Sequence, residues 1–212
     1  MLKRLVPTAI AGVVAGFIAA RFFFGGPATG APSFELGAAE APSSPFTAPG
    51  GGAGGCTVTD ATATVAGNSM AGIVANGSTV TVEENYYACH DVARGDIVAY
   101  NYPGKPLIKK VFGVPGDTLA LAPATSSVSG LVLTGWSILV NGKALVNSAG
   151  YPYVITASGH RMLSIYVNDY RGVIPPDSYL ILGDTPWGSE DSTVFGLVGR
   201  EDLLGKVVIG AA

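Results

Sequence analysis

From Thr57 onward the sequence is divided into short segments, each alternating or continuously apolar, and each stopped by a glycine-marked turn. "TVTDATATV" alternates, and "GSTVTVEE" alternates with Val80 and Val82 on one face. "GDIVAYNY", "PLIKKVFGV", "TLALAP", "GLVLTG", "SILVNGKALV", "YLILGD" and "LLGKVVIG" follow. A side-chain period of two is the mark of a strand, and Asn141-Gly142 between two such runs marks a hairpin. No helical period of useful length and no repeat occurs in this part of the chain. The reading is an all-β domain of coiled antiparallel sheets.

What precedes that domain differs in kind. Lys3 and Arg4 stand before an almost wholly apolar run from Leu5 to Phe24, about the length a bilayer core requires. Pro7 falls in the first turn, where proline is tolerated. Arg21 lies near the far end, where its head can reach the interface. Residues 1–24 are therefore expected to be a transmembrane anchor, its N-terminus cytoplasmic because of the basic pair and the rest of the chain extracytoplasmic. A cleavable signal peptide, with small residues at "PATGA" (27–31), is the rival. Of the 31 residues at 25–55, 14 are Gly or Pro, the composition of a flexible linker spanning roughly 30 Å. The β-rich domain then occupies 56–212. With 13 % charged residues and a net charge of −3, the chain lacks the basic face that a nucleic-acid partner requires. In an exported domain Cys56 and Cys89 are expected to be bridged, worth about 4 kcal/mol on the chain-entropy model, with two free thiols as the alternative.

Three segments carry candidate chemistry. The first is "GNSMAGIV", which places Ser69 in a small-residue turn. The second is "PLIKKVFGVPGD". On a strand Leu107, Lys109 and Val111 share one face and Ile108 and Lys110 the other, so one of the two lysines has apolar neighbours. An ordinary amine, with a pKa near 10.4, is no base at neutral pH. Burial disfavours the ammonium and turns a lysine into a group able to take a serine's proton. The third is "LILGDTPWGSEDSTVFGLVG", in which Ser189, Asp191 and Ser192 could orient a lysine.

In order, G-x-S-M, then K-K-V-x-G-x-P-G-D, then G-D-x-x-x-x-S-x-D-S-x-x-x-G-x-V resemble the type I signal peptidases, membrane-anchored serine proteases with a Ser/Lys dyad. The resemblance covers about 57–208, and "VNG" at 140–142 is similar to the hairpin that the family carries. It implies the signal-peptidase type of coiled sheet, with Ser69 as nucleophile and Lys109 as general base. The Ser69 N–H would serve the oxyanion. Met70, with Gly67 close to substrate, would line the pocket for the small residue before the cut. It further implies Ser189 as the residue that positions the lysine, and Asp191 and Ser192 as structural neighbours. Signal peptides of exported preproteins and membrane lipid would be the partners, with no cofactor.

The chain departs from the pattern at four places. Gly72 stands where "SMxP" has proline, and Gly67 offers no hydroxyl two residues before the nucleophile. Thr185 replaces the asparagine of "GDN". Thr193 replaces the arginine that usually ends the third motif, so Asp191 needs another partner, with Lys110 and Arg94 as candidates. His90 and His160 lie outside any matching motif, and "G-x-S-x-G" is absent, which argues against a histidine base. Two histidines and two cysteines are a poor metal set. The alternatives are a pilin-maturation or conjugation peptidase of the same clan and an inactive β-rich peptide-binding domain. The SOS-repressor autoproteases share the dyad but carry a DNA-binding domain where this chain has an anchor and linker.

Overall fold

The structure, a computed structural model, describes residues 57–103, 105–128 and 130–210. The expected anchor (1–24), the linker (25–55) and Cys56 lie outside the described residues. Among the described residues, no helix is long and apolar enough to cross a membrane. Cys89 is disulfide-bonded.

The elements are β1 (Thr59–Thr64), β2 (Thr79–Glu84), the one-turn α1 (Tyr86–Cys89), β3 (Ile97–Tyr102), β4 (Lys105–Gly113), β5 (Leu119–Val128), β6 (Leu131–Val140), β7 (Lys143–Ala144), β8 (Val154–Ile155), α2 (Ala157–Asp169), β9 (Ser178–Leu182), the one-turn α3 (Ser192–Phe195), β10 (Val198–Gly199) and β11 (Leu203–Val208). Among the described residues the strands form two sheets. One has seven strands in the order β1-β2-β11-β3-β4-β9-β10; the other joins β5, β6 and β7, with β8 also on β6. All these pairings are antiparallel.

The period-two pattern accounts for the core. Along β9, Leu180 and Leu182 enter one cluster with Phe112, Ile138, Tyr153 and Leu163, while Tyr179 and Ile181 enter another with Val98, Tyr100 and Val111. A strand buried on both faces reads as the continuous apolar run "YLIL". Val80 and Val82 share a third cluster with Val65, Met70 and Val207. The hairpin tip between β6 and β7 has Asn141 and Gly142 both at positive φ, as a type I′ turn demands. In "VPGD" proline leads and Gly116 takes φ +84°, a type II turn that delivers Asp117 to the start of β5.

Two features differ from the sequence reading. The domain is mostly β rather than all-β, because α2 runs for 13 residues. Its apolar stripe is short: Leu163 is fully buried, Tyr166 and Val167 pack partly against the core, and Ile165 faces outward. Gly159 lies where a Cβ would meet Ile155 and Thr193 at 3.3–3.4 Å. Close packing, not helix propensity, sets this segment. Second, "GLVLTG" and "SILV" form one ten-residue strand, paired along its length with an equally long β5. Gly135 does not break it; a Cβ there would sit 2.2 Å from the Ile155 carbonyl oxygen, so glycine lets β8 approach. Pro123 is tolerated because β5 is an edge strand.

Candidate active site

Strand β4 bridges the seven-stranded sheet. Its residues 105–110 pair with β3, but β9 reaches it only from Lys110, opposite Leu182, onward. Beyond Leu182 the chain turns away at Gly183. Lys109 therefore lies at the last position of β4 whose outer edge is open, where the 183–191 loop and the 67–74 turn meet.

The Lys109 side chain is buried, with 1 % of the residue exposed. Its Nζ lies 3.0 Å from Ser69 Oγ and donates to the Ile108 carbonyl at 3.0 Å. Burial lowers its pKa; the Asp191 and Glu190 carboxylates work against that, and Lys105 adds to it. Lys110, one residue on, is half-buried and holds its ammonium 5.4 Å over the Phe112 ring. The one-residue alternation of a strand thus separates two chemically identical side chains into different environments.

The turn bearing Ser69 is stitched to the third motif by backbone. Asp184 N–H donates to the Ser69 carbonyl at 2.6 Å, and Thr185 Oγ1 donates to the Asn68 carbonyl at 3.0 Å. Gly183 lies behind the pair: a Cβ there would be 2.8 Å from the Ser69 carbonyl oxygen and 2.3 Å from Ser189 Oγ. Its own N–H donates to Asp191 Oδ2 at 3.0 Å, and its carbonyl accepts from Tyr153 Oη at 2.6 Å. Burial, with Asp184 and Asp191 nearby, pushes the Tyr153 phenol up, so it stays a donor.

Several sequence expectations change at this level. Asp191 does not use Lys110 or Arg94. Its carboxylate takes Gly183 N–H, Thr193 N–H at 3.0 Å and Thr193 Oγ1 at 2.7 Å, capping α3. Threonine in place of arginine thus supplies a hydroxyl and an N-cap partner rather than a cation. Arg94 instead pairs with Asp117. Met70, expected to line the pocket, is 2 % exposed and packed among Val65, Val74, Val80 and Ala99. Ser189 makes no hydrogen bond to Lys109. Its buried Oγ has no hydrogen-bond partner among the described residues, while Lys109 Nζ hydrogen-bonds to Ile108 and Ser69. Ser189 lines a cleft of about 260 Å³ with Tyr153, Trp187 and Thr193. Gly67 is exposed, with φ +103°, and a Cβ there would meet nothing within 4 Å. Conformation rather than crowding requires glycine there. Ser192 is fully buried and accepts from Ile181 N–H at 3.0 Å.

Sequence reasoning missed Tyr153, Asn147, Ser148 and the role of Asp184. Ser148 N–H and Oγ donate to the Asp184 carboxylate at 2.9 and 2.6 Å, and Asn147 Nδ2 donates to its carbonyl at 2.8 Å. Asn147 and Ser148 sit in the turn after β7 and Tyr153 just before β8, outside every motif, and only the fold brings them to Asp184 and Gly183.

The sequence is similar to those of known proteins. The family model described as "Signal peptidase, peptidase S26" matches residues 55–211. Signal peptidase IB of Staphylococcus aureus is 27 % identical over 156 residues, covering 68 % of this chain and 73 % of the relative. A probable signal peptidase I-2 of Synechocystis sp. is 30 % identical over 138 residues, covering 60 % of this chain and 52 % of that protein. The crystal structure of a signal peptidase I from Enterococcus faecalis V583 aligns with a TM-score of 0.37 at 23 % identity, over 56 % of this chain and 98 % of the other. Since the family model spans well over half of the sequence, the chain belongs to the signal peptidase family, peptidase S26, and is an enzyme, a serine endopeptidase of the signal peptidase I type.

Proposed function

We propose that this enzyme is a single-pass membrane endopeptidase that removes signal peptides from exported preproteins through a Ser69/Lys109 dyad and an acyl-enzyme. The observation that carries the reading is the 3.0 Å approach of Lys109 Nζ to Ser69 Oγ, with the lysine buried and its pKa lowered. In the neutral form Lys109 takes the Ser69 proton as Oγ attacks the scissile carbonyl carbon. The resulting ammonium returns the proton to the leaving amine as the C–N bond breaks. Water, deprotonated by the same lysine, then releases the acyl group. The Ser69 N–H is the proposed oxyanion donor, an interaction worth about 3–4 kcal/mol where such donors have been removed.

The open edge of β4 from Lys105 to Lys109 supports an extended substrate that adds as a strand. The apolar run at 5–24 supports an anchor that holds the domain on the extracytoplasmic face, near a substrate whose own signal helix is in the membrane. Ser189, its hydroxyl buried and unpartnered beside Gly183, is proposed to turn to Lys109 when the lysine gives up its contact with Ser69 Oγ.

The test is cleavage of an Ala-x-Ala precursor by the full-length protein in membranes or detergent. Ser69→Ala and Lys109→Ala should each lower kcat/KM by roughly a thousandfold or more, with circular dichroism unchanged. Wild-type activity in folded Lys109→Ala would contradict the dyad. A precursor survey in cells, showing one pilin-type substrate instead of many, would favour the dedicated maturation peptidase.

A further inference from the structure

The family pattern has proline at position 72, and here Gly72 occupies a place with no room for any side chain. A Cβ at Gly72 would lie 1.9 Å from Asp184 Oδ2 and 2.4 Å from Ser148 Oγ. The space is already filled by a carboxylate and the hydroxyl that holds it. Asp184 is 4 % exposed and enters no ion pair among the described residues. Its charge is met by Ser148 N–H on Oδ1 and Ser148 Oγ on Oδ2. Its own N–H runs to the Ser69 carbonyl at 2.6 Å, the shortest link between the nucleophile turn and the third motif.

On the dyad reading proposed above, we infer that Ser148 is a positioning residue for Ser69 in this chain, acting through Asp184, and that Gly72 is the residue that makes room for the two. The chain of contact is Ser148 to the Asp184 carboxylate, then Asp184 N–H to the Ser69 carbonyl. A buried carboxylate that loses a donor rotates or draws in water to recover it. The Asp184 peptide would turn with it. Ser69 carries both the attacking Oγ and the proposed oxyanion N–H, so a shift of its peptide moves both at once. Catalytic geometry tolerates displacements of only about 0.5 Å, and a larger one costs rate rather than binding.

The experiment uses full-length protein in detergent micelles, the Ala-x-Ala precursor and a covalent serine probe. Ser148→Ala should lower kcat roughly 10- to 100-fold while KM stays within about threefold. The probe's acylation rate should fall in the same ratio, and the melting temperature should change by only a few degrees. Ser148→Thr, which keeps the hydroxyl, should recover most of the rate. Asp184→Asn combined with Ser148→Ala should be little worse than the more damaging single variant, because both act on one contact. If Ser148→Ala fails to fold, Gly72→Ala gives the same reading from the opposite side and should show the same split. A kcat within twofold of wild type in Ser148→Ala or Gly72→Ala, or full additivity in the double variant, overturns the positioning role while Ser69→Ala remains inactive. Activity in Ser69→Ala would overturn the dyad itself.

Discussion

Where β4 turns into β5, Asp117 is buried and answered by a cation: Arg94 Nη2 lies 2.5 Å from Oδ2 and 2.6 Å from Oδ1. Around Ser69, Asp184 and Asp191 are buried more deeply, yet among the described residues only neutral N–H and O–H donors hold them. The two corners hold the same charge in opposite ways. An arginine beside Asp117 locks a turn and has nothing further to do. A direct ion pair between Lys109 and either site carboxylate would hold that lysine as an ammonium, useless as a base. With both carboxylates satisfied by serine, threonine and backbone, Lys109 Nζ makes its hydrogen bonds to the Ile108 carbonyl and Ser69 Oγ, and burial disfavours its charge.

The sharpest way to break this contrast is to remove a site carboxylate. Asp191→Ala leaves Gly183 N–H and Thr193 N–H without their acceptor and strips α3 of its cap. It should cost about 3 kcal/mol, a drop of roughly 6–12 °C in melting temperature for a domain of this size, with activity falling alongside. Calorimetry and precursor cleavage on the same preparation would show it.

Arg94→Ala should cost less, about 1–2 kcal/mol, because the arginine side chain is 43 % exposed. Cleavage measured well below the melting point should be unchanged. Its pH dependence follows from Asp117. Burial raises that carboxyl, but Val114 N–H, Asn141 and Arg94 together outweigh burial and hold it below its ordinary value. A depressed carboxylate stabilises the fold above its unfolded pKa of about 3.9 and loses that contribution as pH falls through the folded value. The gap between wild type and Arg94→Ala should therefore be full at pH 7 and close below about pH 4, as followed by thermal melts across that range.

Smallest is the ion pair of Lys105 with Glu190, 2.7 Å apart with both side chains about half exposed. Lys105→Ala should leave the melting temperature unchanged within error. Its trace should appear instead in the pH–rate profile, because Lys105 lowers the Lys109 pKa. The acid limb should move to higher pH.

Much of this was legible in the sequence, for local reasons. Period-two alternation marked the strands, Asn141-Gly142 marked the hairpin, and the three motifs marked the segments that bring Ser69 and Lys109 together. What escaped depended on packing across the chain. Helix α2 has too short a stripe to register, and it forms because Leu163 and Gly159 fit against β8 and α3. Met70 is packed by the fold against Val80 and Val82 of β2, a setting no local pattern showed. The link from Ser148 to Asp184 crosses 36 residues and carries no motif. Thr193 is the instructive case: its role as Asp191's cap partner follows ordinary helix-start chemistry, but comparison with an arginine made it look like a loss.

The central proposal is that Lys109, whose burial disfavours its charge, activates Ser69. The direct measurement is the pH dependence of Ser69 acylation by a penem-type probe, read as adduct mass on the intact protein. One adduct on Ser69 is expected, forming faster as pH rises through an ionisation below lysine's ordinary 10.5, and absent in Lys109→Ala. Acylation of folded Lys109→Ala at the wild-type rate, or no adduct on folded wild-type protein, would contradict it.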